Sequence, residues 1–296
     1  MSLEARFWGT RGSVPSPGPL TLRYGGNTSC VELRTPVGEL AILDAGTGLR
    51  SLGATLQEMA GGGPSTSNIF ITHAHWDHIQ GLPFFAPLFA DGSRVRIWSA
   101  APLLGRLERA LRAQMAPDVF PVPFEEVRAT VEFLPVPTEG VAVDGFSVRT
   151  HPVRHPGGAS AFRVNGCNAP GCSVVYIPDN ELHPDAPYDA PADWRARLLD
   201  FLGGADALIH DATYTTAEYP GVRGWGHSTV DEAVELAVDA GVPRLSLFHH
   251  HPGRSDEAVD ALVEHARRLT RRLGYSLEVT AAAEESALQA TAGGDI

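Results

Sequence analysis

Four metal-capable side chains, His73, His75, Asp77 and His78, fall within six consecutive positions directly after the strand-like run Asn68 to Thr72. Two histidines one residue apart face the same way from an extended backbone and can close on one cation. Asp77 and His78 come after a turn and can address a second cation beside the first. Paired metals of this kind clamp the attacking and leaving oxygens of an in-line displacement and supply a metal-activated hydroxide near neutral pH. Asp77 would also be the nearest carboxylate able to orient that nucleophile or take its proton.

Four later runs repeat one pattern, a strand with a ligand-type residue at its end. Phe146 to Thr150 leads to His151 and His155, and Ser173 to Pro178 leads to Asp179. Ala207 to Ile209 leads to His210 and Asp211, and Leu245 to Phe248 leads to His249, His250 and His251. Strand ends converging along one sheet edge assemble a binuclear site from residues far apart in sequence. Spacing leaves His151 open beside His155, and His250 beside His249. Leu40 to Leu43 likewise ends at Asp44-Ala45-Gly46, a tight turn in which Asp44 can order backbone or a ligand loop.

His227 stands before the clearest helix in the chain. Thr229 and Glu232 form a capping box, Ala233, Val234, Ala237 and Val238 make the buried face, and Gly241 ends it. Free N–H groups at such a start favour a phosphate or another anion.

The elements that must position these residues read as two successions of strands followed by helices, as in a fold of two similar α/β halves. Arg6 to Gly9, Cys30 to Arg34 and Val95 to Trp98 are strands. Helices are expected over Ser51 to Ala60, Leu103 to Gln114 and from Ser255-Asp256 through Leu273. The apolar run Ile79 to Phe89, broken by Pro83 and Pro87, is expected as a short helix and a wall over the metals. One domain spans 1–296, with 281–296 expected as a flexible tail. Cys167 and Cys172 lie in a hairpin-like insertion and are expected as thiols, since two ligands make only half of a zinc site.

At 296 residues and 43% hydrophobic content the chain is long enough for one large core. No apolar run reaches a membrane span, and the N-terminus lacks a basic stretch followed by an apolar one, so the expectation is a cytoplasmic protein. Three cysteines argue against a disulfide framework. A formal charge of −12 disfavours a long nucleic acid, which needs a basic track. Bound cations would reverse the field locally, so the expected partner is a small anionic substrate. No membrane partner is expected, and a homodimer is allowed.

His-x-His-x-Asp-His after a strand resembles the signature of the metallo-β-lactamase superfamily. Gly9-Thr10-Arg11-Gly12-Ser13, Leu43-Asp44-Ala45-Gly46, His155-Pro156-Gly157-Gly158, His210-Asp211-Ala212-Thr213 and His227-Ser228-Thr229 are similar to its ribonuclease Z-like phosphodiesterase branch. The resemblance runs across nearly the whole chain and implies an α/β fold, the αββα sandwich, with two zinc ions. The carboxylates also suit manganese or iron. One ion would be held by His73, His75 and His155, the other by Asp77, His78 and His249, with Asp179 bridging. Asp44 would sit behind the ligands. His227 would contact the scissile phosphate, assisted by His210, and Asp211 replaces the glutamate of the family's His-Glu-Ala-Thr stretch with a shorter reach.

The expected activity is therefore a binuclear zinc-dependent phosphodiesterase cleaving a cyclic nucleotide or short nucleotide diester. The alternatives are a lactonase- or thioesterase-like acyl hydrolase, a tRNA 3′-end processing endonuclease, and a non-catalytic metal-bound module. The chain lacks a long glycine- and proline-rich basic arm of the sort that grips transfer RNA.

Overall fold

The computed structural model describes residues 2–169 and 171–291. The first half contains β1 (Ser2–Gly9), β2 (Cys30–Arg34), β3 (Leu40–Leu43), α1 (Leu49–Met59), β4 (Thr66–Phe70), β5 (Arg94–Ala100), α2 (Ala101–Ala113) and β6 (Thr130–Val136). The second contains β7 (Val141–Val143), β8 (Phe146–Val153), β9 (Ala159–Gly166), β10 (Ser173–Ile177), α3 (Trp194–Leu202), β11 (Ala207–Asp211) and α4 (Val230–Asp239). It continues through β12 (Arg244–Phe248), α5 (Asp256–Leu273), β13 (Glu278–Ala281) and β14 (Ala287–Thr291). Two seven-stranded sheets result, in the orders β14-β1-β2-β3-β4-β5-β6 and β13-β12-β11-β10-β9-β8-β7.

Alternation along the strands builds the layers, because successive side chains leave a strand on opposite faces. In β4, Phe70 joins Leu3, Val31, Phe162, Tyr176 and Phe248 in the apolar layer between the sheets. Its neighbour Ile69 packs outward beneath α1 and α2 with Leu49, Leu52, Leu107 and Leu111. In β11, Ile209 faces the middle layer, while Leu208 packs outward with Leu198, Val234 and Leu262 under α3, α4 and α5. Both faces of these central strands are covered, giving the αββα sandwich; each large apolar side chain buried this way contributes about 1.5–3 kcal/mol.

Local signals place several helices closely. Thr229 and Glu232 form the full capping box of α4, and the Ser255 hydroxyl accepts from Ala258 N at the start of α5. Helices α1 and α2 each begin two residues before the expected start.

Two expectations are corrected. Residues 287–291 of the tail form β14, paired antiparallel to β1, because Leu288 and Ala290 complete the middle apolar layer; residues 292–296 lie outside the described residues. The run from Ile79 to Phe89 is not a wall over the ligands. Ile79, Leu82, Phe85 and Leu88 are buried beneath α1, and Phe85 fills the space that a side chain at Gly53 would need. Strands β6, β7 and β9 and helix α3 were not anticipated. No described helix is long and apolar enough to cross a membrane.

Candidate metal centre

Strands from both sheets end at the same edge of the sandwich, and the ligand-type residues follow them. Asp44 comes after β3, His73 to His78 after β4, His155 after β8, Asp179 after β10, and His249 after β12. His73, His75, His155 and Asp179 form one group of ligand atoms within 4.8 Å of one another, and Asp77, His78 and His249 form a second.

Asp179 joins the two groups through its separate oxygens. Its Oδ2 is 3.8 Å from His73 Nε2 and 3.6 Å from His155 Nε2, while its Oδ1 is 3.0 Å from His78 Nε2 and 3.5 Å from His249 Nε2. Asp77 Oδ2 lies 3.2 Å from His78 Nε2 and 3.1 Å from His249 Nε2. His155 Nε2 and His75 Nδ1 face each other at 2.9 Å.

The opposite ring nitrogens are fixed by other groups, which sets each tautomer. His78 Nδ1 donates to Asp44 Oδ2 at 2.7 Å, and His155 Nδ1 donates to the Gly226 carbonyl at 2.9 Å. His73 and His249 direct Nδ1 at the hydroxyls of Thr72 and Thr213, each at 3.1 Å. Asp44 is fully buried and also accepts from Thr72 N, Thr72 Oγ1 and the Tyr176 hydroxyl, so it ties the two sheets together behind His78.

Glycines make room for these rings. A Cβ at Gly12 would stand 2.1 Å from the His249 ring, and one at Gly226 would stand 2.2 Å from His155 Nδ1. Asp44 and His249 both adopt positive φ, 59° and 58°, a strained conformation for a non-glycine residue that reverses the chain at each strand end. Glu181, also buried, accepts from the backbone of Gly224 and Gly226 and from the Tyr219 hydroxyl, holding the loop that carries the carbonyl bonded to His155.

The residues fit divalent cations on an observation independent of any family. His73 Nε2 is buried without a hydrogen-bond partner, and His78 Nε2 and Asp179 Oδ1, 3.0 Å apart, make no well-aligned hydrogen bond; all three lie among the ligand atoms of the two groups. A buried polar atom left unsatisfied costs about 1–3 kcal/mol, which a coordinated cation would offset.

Electrostatics agree. Burial depresses the pKa of His73 and takes that of His155 down to about 4, keeping both imidazoles neutral as ligands must be. Burial alone would raise Asp179 and Asp77, but the surrounding histidines outweigh it and hold both carboxyls well below the usual range. His78 is pushed well above its ordinary value: burial opposes this, and Asp179, Asp77 and Asp44 together prevail. A proton there answers the same concentration of negative charge that a cation would.

His227 lies beside both groups, its ring 4.8 Å from that of His249 and 5.4 Å from that of His155. It also falls within metal-binding distance of Asp179 and His249, but its Nδ1 is committed to Asp211 Oδ2 at 2.9 Å. Asp211 further accepts from Asn180 N, Ser228 N and the Thr213 hydroxyl. Burial would lower the pKa of His227, but Asp211, with Asp179 and Asp77, raises it to about 9.

The structure places three further histidines singled out in the sequence outside the two groups. His151 lies within β8 with its ring stacked on Phe201 at 5.1 Å, and His250 directs Nε2 to the Ala282 carbonyl at 2.8 Å, so neither joins a ligand group. His210 is fully buried, with Nδ1 on the Asp211 carbonyl and Nε2 3.4 Å from the Asn180 amide, and it makes no hydrogen bond to His227 among the described residues. Cys167 is exposed and Cys172 buried, and among the described residues neither enters a metal-type cluster. Sequence reasoning missed Glu181, whose role depends on a loop more than forty positions away, and Ser13, whose N–H donates to Asp77 Oδ2 at 2.7 Å. Ser13 lay inside a stretch already singled out; Glu181 carried no local signal.

A four-layer sandwich with two adjoining histidine–carboxylate groups on one strand edge makes a site fitted to hold divalent metal. A family model described as the β-lactamase superfamily domain matches residues 41–250, and the chain belongs to that superfamily. It is similar to ribonuclease Z of Synechococcus sp. (strain WH7803), 28% identical over 310 residues, covering 88% of this chain and 90% of the relative. In fold it is similar to the metallo-β-lactamase fold protein YhfI from Bacillus subtilis, with TM-score 0.69, 16% identity and coverage of 98% and 100% of the two chains. The short form of human tRNase Z gives TM-score 0.60 at 22% identity, covering 96% and 98%. The chain is a metal-dependent hydrolase with ribonuclease Z-like relatives.

Proposed function

We propose that this protein is a binuclear, zinc-dependent phosphodiesterase acting on a small substrate, a cyclic nucleotide or short nucleotide diester. The observation that carries the reading is His227, held by Asp211 at the edge of the two ligand groups with its side chain 10% exposed. An acyl substrate develops its charge on one carbonyl oxygen, whereas an in-line phosphoryl transfer spreads it over several oxygens and gains from a further cationic donor.

His73, His75, His155 and Asp179 would hold one cation, and Asp77, His78, His249 and Asp179 the other. When bound, the cations supply Lewis acidity that polarises phosphoryl oxygens and makes water a nucleophile near neutral pH. Asp77 directs Oδ2 toward His78 and His249 and takes the Ser13 N–H there, leaving Oδ1 to orient the attacking water. His227 keeps its proton through Asp211 and presents Nε2 to the non-bridging oxygens or to the leaving alkoxide. Trp76, 70% exposed and next in sequence to His75 and Asp77, and Trp225, 60% exposed and next to Gly226, are exposed planar rings that suit a nucleobase. The acidic balance of the chain supports a short substrate over a long nucleic acid.

The test is a panel of bis-p-nitrophenyl phosphate, cyclic nucleotides, a short RNA and a lactone, run with measured metal content. Turnover of small diesters is expected. Hydrolysis of the lactone alone would refute the assignment.

A further inference from the structure

Beyond the two ligand groups, one cation stands beside the site without an acid to neutralise it. Arg106, on α2, is exposed, and its Nη1 donates to the Gly157 carbonyl at 2.8 Å. Among the described residues it makes no ion pair, in a chain where 35 acids outnumber 23 arginines. Arg106, Leu103 and Gly158 close a small recess together with His73 and His75.

Gly157 has a φ of +78°, a conformation that favours glycine, and a Cβ there would stand 2.5 Å from Arg106 Nη1, so a side chain at 157 would displace the guanidinium from this carbonyl. The same loop carries His155, and its carbonyl at Gly157 turns Arg106 toward the His73–His75 side of the centre. Trp76 follows His75 directly and leaves its indole 70% exposed. A substrate anchored at the two ligand groups and extending past His75 therefore meets a guanidinium that carries no acid partner.

We propose that Arg106 binds a second anionic group of the substrate, a terminal phosphate adjoining the scissile diester, so that the preferred substrates are nucleotide diesters bearing an additional phosphomonoester. This inference rests on the phosphodiesterase reading. Guanidinium–phosphate recognition is paired and planar, and at an exposed position it selects among substrates more than it accelerates the chemistry.

The experiment compares kcat/KM for the dinucleotide TpT and its 5′-phosphorylated form pTpT in the metal-loaded protein, with bis-p-nitrophenyl phosphate as a reference diester. Wild-type protein should prefer pTpT by about tenfold or more, chiefly through KM, with the preference falling as salt rises. In Arg106→Gln the ratio should collapse to about one, and Arg106→Lys should retain part of it. A merely structural role for Arg106 would lower both substrates alike and leave the ratio unchanged, overturning the inference. Equal rates on pTpT and TpT in the wild type, or turnover of the reference diester with neither dinucleotide cleaved, would overturn it while leaving the phosphodiesterase reading intact. No turnover of any diester would remove both.

Discussion

His227 Nδ1 lies 2.9 Å from Asp211 Oδ2, and this contact fixes the orientation of the imidazole beside both ligand groups. Asp211 in turn collects the N–H groups of Asn180 and Ser228 and the Thr213 hydroxyl, so its position is over-determined. The carboxylate that replaces the longer glutamate of the family stretch reaches His227 without difficulty.

His227→Ala should lower kcat on a small diester about 10²–10³-fold with metal content retained. Asp211→Asn addresses the same pair through pH. Asp211 is the main carboxylate that raises His227 against burial, so a neutral amide lets the proton leave at lower pH. The basic limb of the kcat profile should move down by about 1–3 units. An unmoved limb, measured across pH on bis-p-nitrophenyl phosphate, would remove His227 from the proton-bearing role.

Asp179→Ala should lose metal occupancy and activity together, because its two oxygens face the two ligand groups separately. Elemental analysis after dialysis checks this. Full metal content in that variant would contradict the bridging role.

Chelation should destabilise the fold reversibly, since it leaves His73 Nε2 buried without a partner and His78 Nε2 and Asp179 Oδ1 without a well-aligned one. A fall in Tm of at least about 5 °C is expected, restored by re-addition of zinc. Calorimetry with and without chelator reads the difference.

Gly12→Ala and Gly226→Ala should damage different ligand groups. The first places a methyl against the His249 ring and the second against His155 Nδ1 at a φ of +89°. Metal affinity at the affected group should fall about 10–100-fold, the scale seen when a ligand's support is disturbed. Competitive titration with a chromogenic chelator resolves the two groups, and equal losses at both in each variant would refute the assignment.

His250 supplies an acid sensitivity of the metal-free fold. Burial takes its pKa to about 3 in the folded chain, against about 6.5 unfolded. The unfolded chain therefore takes up a proton below pH 6.5 that the folded one refuses, and stability is lost as pH falls from 6.5 toward 3. Between pH 7.5 and 5, wild-type protein should lose about 2 kcal/mol more than His250→Gln in urea unfolding. Equal losses would show that His250 titrates in the folded state.

What the sequence determined by itself was local. His73, His75, Asp77 and His78 are legible because one strand and one turn are enough to bring them together, and the α4 capping box because it spans four residues. The αββα class and the family followed from those residues and their order. Only the tertiary structure brings His155 and His249 into the ligand groups and leaves His151, His250 and His210 outside them. Each of those choices turns on where a strand stops and which way its next residue faces: His249 enters the site through a left-handed backbone, while His151 remains in β8 against Phe201. Glu181, Gly12 and Arg106 gain their meaning only when loops distant in sequence close on the same strand edge, a relationship that no periodicity along the chain encodes.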